Sequence, residues 1–244
     1  MPRRARGEAV KRERPVRARA AASKVSRAET VYRGLRRAII EQALSPGTKL
    51  PEDLVGTRFG VSRTVVRAAL ARLAAESLVE LHLNRGATVA HPSLDEAHDV
   101  FDIRRSLERL VVERLAGRLS RADLARLKQH VAAEEQGRGG AESIRLAGEF
   151  HMLLAELAGS STLSRYVGEL ISRSSLILAI YGRPHSPDCA VTEHREIIDA
   201  LVRGDTPVVT RLMDRHLDAI IGRALIAPPP RRDISDILSD YAAE

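Results

Sequence analysis

Residues 60–73 read Gly60-Val61-Ser62-Arg63-Thr64-Val65-Val66-Arg67-Ala68-Ala69-Leu70-Ala71-Arg72-Leu73. Val66, Ala69, Leu70 and Leu73 recur at helical spacing and predict one apolar face that packs on a small core. Ser62 stands at the expected N-cap, where its hydroxyl would accept from first-turn backbone N–H groups. Arg63 and Arg67, one turn apart, share the opposite face near the helix N-terminus. That is the part of a helix-turn-helix that enters a DNA groove. Two solvated helix charges are the plain alternative, and the flanking sequence argues against it. Upstream, a helix is predicted from Glu29 to Ala43, with Val31, Leu35, Ala38 and Ile39 inward and Ser45-Pro46-Gly47 as its stop. Pro51-Glu52-Asp53 opens a short helix that runs to Arg58 and turns at Gly60. Downstream, residues 78–81 and 87–90 read as short strands joined by Asn84-Arg85-Gly86, a turn that tolerates positive φ. Three helices and a hairpin make a winged helix over residues 28–91.

From Leu94 to Leu225 the pattern changes to helix almost throughout. Breaks at Ser120, Gly137–Gly140, Gly159-Ser160, Gly182–Pro187 and Gly204–Pro207 divide it into helices over 94–119, 121–136, 141–158, 161–181, 189–203 and 206–225. Asp205 is placed to cap the last, with Pro207 in its first turn. No segment alternates long enough to demand a sheet. The predicted class is therefore all-α dominated with a small β wing: an N-terminal winged helix-turn-helix, then an antiparallel α-helical bundle. Residues 1–27 form a basic tail expected to be disordered, and residues 226–244 a C-terminal extension that follows Pro228–Pro230.

Charge is unevenly placed. Residues 1–27 hold ten Arg or Lys and two Glu, a balance of +8 against a total of +7 for the chain. Residues 28–91 carry +3 and residues 92–244 carry −4, which fits a DNA-facing region joined to one with a different task. Aromatic residues at 3%, with no Trp, leave little for base-stacking platforms. The lone Cys189 excludes a disulfide framework and any multi-cysteine metal knuckle. No apolar run is long enough to span a membrane, and the N-terminus lacks the apolar core of a signal peptide. A cytoplasmic protein is expected.

Four polar residues fall on otherwise apolar helical faces. Arg104 shares a stripe with Ala97, Phe101, Leu107 and Val111, and a buried Arg is costly unless something anionic meets it. His151 shares one with Ala147, Leu154 and Ala158; His194 lies near Ile197, Ile198 and Leu201; His216 sits among Leu212, Met213 and Ile220. Each histidine alone is an ordinary hydrogen-bonded residue, but three imidazoles converging from three helices suit a divalent transition metal.

These strings together resemble a GntR-family transcriptional regulator with an FCD-type, FadR-like effector domain. The resemblance runs through Leu44–Leu50, Gly60–Leu70 and Gly86, then Ile103-Arg104-Arg105-Ser106-Leu107-Glu108, Glu149-Phe150-His151, Glu193–Ile198 and Met213-Asp214-Arg215-His216. It covers residues 30–220 in the right order. It implies a homodimer on a palindromic double-stranded DNA operator, usually a repressor modulated by a small carboxylate-bearing metabolite. The DNA-reading positions it implies are Ser62, Arg63, Thr64 and Arg67, with wing contacts at Arg85 and Gly86 and a backbone contact from Arg58. Some relatives add an Arg in the second helix; Asp53 holds that position here and would repel phosphate. The effector's carboxylate is assigned to Arg104, with Arg173 a weaker candidate and an internal ion pair of Arg104 with Glu149 or Glu193 as the alternative. The implied metal ligands are His151, His194 and His216, one divalent ion per subunit, zinc first and nickel second. Metal-binding members carry Asp one turn before the first histidine, where this chain has Ala147. Two alternatives follow: a three-histidine site completed by water or effector, or a site that holds no metal.

A poorly specific architectural DNA binder driven by the basic tail competes with this reading. A metal-dependent hydrolase, using a nucleophilic water with Glu149 or Glu193 as general base, is a distant third, since the histidines are explained as a sensor and no catalytic set stands out.

Overall fold

In the computed structural model, residues 26–83, 86–137, 140–182, 188–222 and Ile234 are described. The basic tail up to residue 25, Arg85 and all of the C-terminal extension except Ile234 lie outside them. Helix α1 (Arg27–Ile40) starts at Ser26, whose hydroxyl accepts from the Glu29 N–H at 3.1 Å. It ends three residues before the predicted Ala43 because Gln42 adopts a left-handed φ of 60°. Helix α2 (Glu52–Phe59) closes on Gly60, also left-handed at φ 62°, and α3 (Arg63–Ala75) follows after two residues. Strands β1 (Lys49–Leu50), β2 (Val79–His82) and β3 (Gly86–Val89) form an antiparallel sheet in the order β1-β3-β2. Both strands of the predicted hairpin form, each offset by one residue from expectation, with Gly86 already in β3; Asn84 and Arg85 of the predicted turn lie outside the described residues. The two residues of β1 are too few to show alternation, and only their pairing with Thr88 and Ala87 makes them a strand.

Val66, Ala69, Leu70 and Leu73 of α3 are all buried, with Val31, Leu35 and Ile39 of α1, Val55 of α2 and Val89 of β3. Tyr32 locks α1 to α3: its hydroxyl bonds Glu76, and the Arg72 guanidinium lies 3.8 Å from its ring centre.

The bundle comprises α4 (Leu94–Leu115), α5 (Arg121–Gln136), α6 (Ala141–Leu157), α7 (Ser161–Tyr181), α8 (Asp188–Arg203) and α9 (Thr206–Gly222). The six predicted segments recur. Ser120 and Asp123 form a full capping box on α5, and Asp205 accepts from the Val208 N–H at 3.0 Å. Helix α4 stops four residues before the expected 119. The Gly117 N–H instead crosses to the Leu201 carbonyl at 2.8 Å. There Gly117 and Gly204, both at positive φ, pass so closely that a Cβ on either would lie 3.4 Å from the other's Cα. Phe150, Leu154, Leu127, Val112, Ile197, Leu201 and Met213 are buried in the bundle core.

The winged helix rests on the bundle through Leu176 of α7, which joins its apolar core, and through polar contacts. Arg36 of α1 reaches Ser172 of α7 at 3.4 Å and the Met152 sulfur of α6 at 3.9 Å. Arg145 of α6 donates to Glu41, the residue that ends α1, at 3.2 Å.

Candidate DNA-reading head and buried histidine centre

Ser62 has the extended backbone of an N-cap, φ −75° and ψ 156°, but its hydroxyl makes no capping bond, contrary to expectation. At an exposed helix start, water or a phosphate can satisfy the first-turn N–H groups, so the fold does not require that bond. Ser62, Arg63, Thr64 and Arg67 all face solvent on the side of α3 opposite its buried residues. Arg58 is exposed on α2, and Gly86 opens β3 at φ 79°. The helix α2 residues Glu52 and Asp53 reach this face. Arg63 donates to Asp53 at 2.7 Å, and Arg67 Nε donates to both oxygens of Glu52 at 2.9 and 2.8 Å.

The three histidines do converge. His151 comes from α6, His194 from α8 and His216 from α9, and all are buried. His216 Nε2 lies 3.1 Å from His151 Nε2 and 3.4 Å from His194 Nε2, with one ligand nitrogen of each residue within 4.8 Å of the others. Each ring's Nδ1 faces its own carboxylate: His151 on Glu108 of α4 at 2.5 Å, His194 on Glu134 of α5 at 2.8 Å, and His216 on Glu193 of α8 at 2.6 Å. A carboxylate there holds the proton on Nδ1 and leaves the Nε2 lone pair to ligate. Three such lone pairs aimed at one point repel unless a cation lies between them. Zinc–nitrogen bonds of about 2.0–2.1 Å in a tetrahedron set neighbouring nitrogens about 3.4 Å apart; the two His216 spacings, 3.1 and 3.4 Å, are close to that, and the third pair lies within 4.8 Å. The donor set fits a divalent ion.

Electrostatics agree with that fit. Burial drives His151 down to about 3 and His194 well below the usual histidine value, so both are neutral, the ligating form. Burial alone would raise Glu108, but the Arg104 charge and the hydrogen bonds from Arg104 and His151 outweigh it and hold the carboxyl below its ordinary range. Burial lifts Glu134 to about 7.

Arg104 is buried and its Nε bonds Glu108, one turn on; the internal partner is therefore neither Glu149 nor Glu193. Glu149 accepts from Arg145 at 2.9 Å, and Glu193 serves His216. Helical geometry explains the first: two residues before His151, Glu149 points around the helix. Arg173 bonds Glu96 of α4 and donates to the Ser77 carbonyl at 2.9 Å, and neither bond goes to the histidine centre. The sequence assigns no site role to Glu108, Glu134 or Glu52; Asp53 enters only as a residue that would repel phosphate, and Glu193 only as an alternative partner of Arg104 or a general base. Only the i, i+4 spacing of Arg104 and Glu108 offered a local signal.

The profile of bacterial regulatory proteins of the gntR family matches residues 27–89, and that of the FCD domain matches residues 99–219. An HTH-type transcriptional regulator in an unstable DNA locus of Streptomyces ambofaciens is 30% identical over 197 residues, covering 78% of this chain and 81% of the relative. The chain belongs to the GntR family and carries an FCD domain.

The HTH-type transcriptional repressor RspR of Escherichia coli K12 is 28% identical over 196 residues, 79% of this chain and 86% of that protein. A GntR transcriptional regulator from Rhodococcus sp. RHA1 superimposes with a TM-score of 0.64 at 28% identity, over 80% of this chain and 98% of that one. Escherichia coli McbR/YncC shares the fold at a TM-score of 0.68 and 22% identity, over 81% of this chain and 96% of that one. As a GntR regulator with an FCD domain, the protein is a sequence-specific DNA-binding transcriptional regulator and not an enzyme. Regulators of this kind act as homodimers on palindromic operators under small-molecule control, so the architectural and hydrolase alternatives fall away. Among the described residues no helix is long and apolar enough to cross a membrane.

Proposed function

We propose that residues 28–91 read one operator half-site and residues 94–225 sense a small organic acid, the protein acting as a repressor in the cytoplasm. Base reading falls to Arg63 and Arg67. Ser62, Thr64 and Arg58 take phosphates, and Arg85 and Gly86 bring the wing to the minor groove. One observation carries this: the start of α3 presents Ser62, Arg63, Thr64 and Arg67 to solvent while its other face is buried.

His151, His194 and His216 hold one divalent transition metal per subunit. Three imidazole donors, with His216 Nε2 at 3.1 and 3.4 Å from the other two, favour zinc over nickel. Bound there, the metal supplies a Lewis-acidic position for the effector's carboxylate, since Ala147 offers no fourth ligand. Arg104, beside the centre through Glu108, is assigned to the effector's charge; Arg173, bonded to Glu96 and Ser77, is the weaker candidate. Helix α6 carries His151 and also Arg145, which holds the end of α1. Occupancy of the centre thereby biases how the reading heads sit, a population shift with no bond made or broken.

Footprinting on an operator selected from random duplexes tests the reading residues. Arg63→Ala and Arg67→Ala should each cost about 1–3 kcal/mol, roughly five- to 150-fold in affinity. Full protection by both variants refutes the assignment. Native mass spectrometry of the protein as isolated tests the centre, because a metal-free subunit removes the three-histidine assignment.

A further inference from the structure

The first turn of α2 is acidic, and both of its acids touch the arginines assigned above to operator reading. The contacts span ten residues for Asp53–Arg63 and fifteen for Glu52–Arg67, so they depend on how α2 packs against α3. That packing is close. A Cβ on Gly56 of α2 would lie 3.0 Å from the Val61 carbonyl of the turn. Glu52 is 20% exposed and Arg67 69%, so the carboxylate sits at the base of the pair and the guanidinium at its tip. Asp53 and Arg63 both stand out in solvent.

A carboxylate and a DNA phosphate compete for the same guanidinium donors. We propose that Glu52 and Asp53 form an electrostatic gate on the reading head. They occupy Arg67 and Arg63 in the free protein and hold down binding to arbitrary duplex. They yield to a site whose guanine O6 and N7 acceptors match the two guanidiniums. The inference rests on the assignment of Arg63 and Arg67 as reading residues.

Two consequences separate a gate from other roles. An arginine already neutralised by a carboxylate displaces fewer counterions from DNA, so the gate flattens the salt dependence of binding. The two negative charges also repel the backbone of every sequence alike, so their loss strengthens non-specific binding. A buttress that merely orients the guanidiniums would do the reverse, since its loss weakens operator binding and leaves other duplexes alone.

Fluorescence anisotropy on the full chain measures this, with a selected operator and a scrambled duplex of equal length, between about 50 and 200 mM salt. In Glu52→Gln/Asp53→Asn, scrambled-duplex affinity should rise about tenfold, each exposed pair contributing a few-fold. The log–log salt slope should steepen by about 2 per subunit, and operator affinity should rise less, so that discrimination falls. The charge-keeping swap Glu52→Asp/Asp53→Glu should stay near wild type. Thermal melts of each variant confirm that it is folded. Unchanged scrambled-duplex affinity and slope overturn the gate, as does a loss confined to the operator. Arg63→Ala and Arg67→Ala run in parallel. If they abolish operator binding while the carboxylate variants do nothing, the gate alone fails. If they leave it intact, the reading residues were misassigned.

Discussion

Glu108→Gln keeps the outline of a buried side chain and removes its charge. Glu108 receives Arg104 on one oxygen and His151 Nδ1 on the other, and all three residues are almost wholly enclosed. Without the carboxylate, Arg104 keeps a full positive charge away from water. Breaking one partner of such a pair costs about 3–5 kcal/mol. At about 2–4 °C per kcal/mol for a chain of this size, the metal-free protein should melt roughly 6–20 °C lower. His151 also loses the anion that sets its tautomer, which should weaken metal binding about 10–100-fold. The double variant Arg104→Met/Glu108→Gln separates the two effects. It removes the orphaned charge, so melting should recover towards wild type, while metal affinity stays low. Calorimetric melts in chelator and zinc titration against a competing chromophoric chelator read the two quantities. A single variant that melts within about 2 °C of wild type and binds zinc normally would refute the reasoning.

Two further outcomes follow from the same contacts. Zinc at a hundredfold excess over its Kd should stabilise the protein by about 2.7 kcal/mol, a rise of roughly 5–11 °C over chelator-treated protein. His194→Ala should abolish that shift, with elemental analysis as the check. The pH dependence of the Glu96–Arg173 contact has a definite sign: hydrogen bonding to Arg173 holds Glu96 below its usual value of 4.5. A depressed carboxyl contributes stability above its unfolded pKa and loses it as pH falls through the folded one. Glu96→Gln should therefore be less stable than wild type at neutral pH. The deficit should stay under about 1 kcal/mol because the carboxylate is 38% exposed. Urea melts should show it shrinking as pH falls below the usual 4.5, and a deficit unchanged in acid would assign it to another cause.

The local chemistry of the chain determined a great deal by itself. Helical spacing of Val66, Ala69, Leu70 and Leu73 put one face of α3 in the core and its arginines outside, because periodicity along one helix is a short-range property. Caps and breakers at Ser120 and Asp205 set helix starts to the residue for the same reason. The histidine faces were legible too. What covers those faces was not. Glu108, Glu134 and Glu193 lie 43, 60 and 23 residues from the histidines they hold, and only the packing of α4 on α6, of α5 on α8 and of α8 on α9 unites them. The same is true of β1, of Arg173 bridging to the end of α3, and of Glu52 and Asp53 against Arg67 and Arg63. A sequence states which side of a helix is buried. Which neighbour meets that side is decided by how helices distant in sequence pack together, and there the ion pairs of both sites are made.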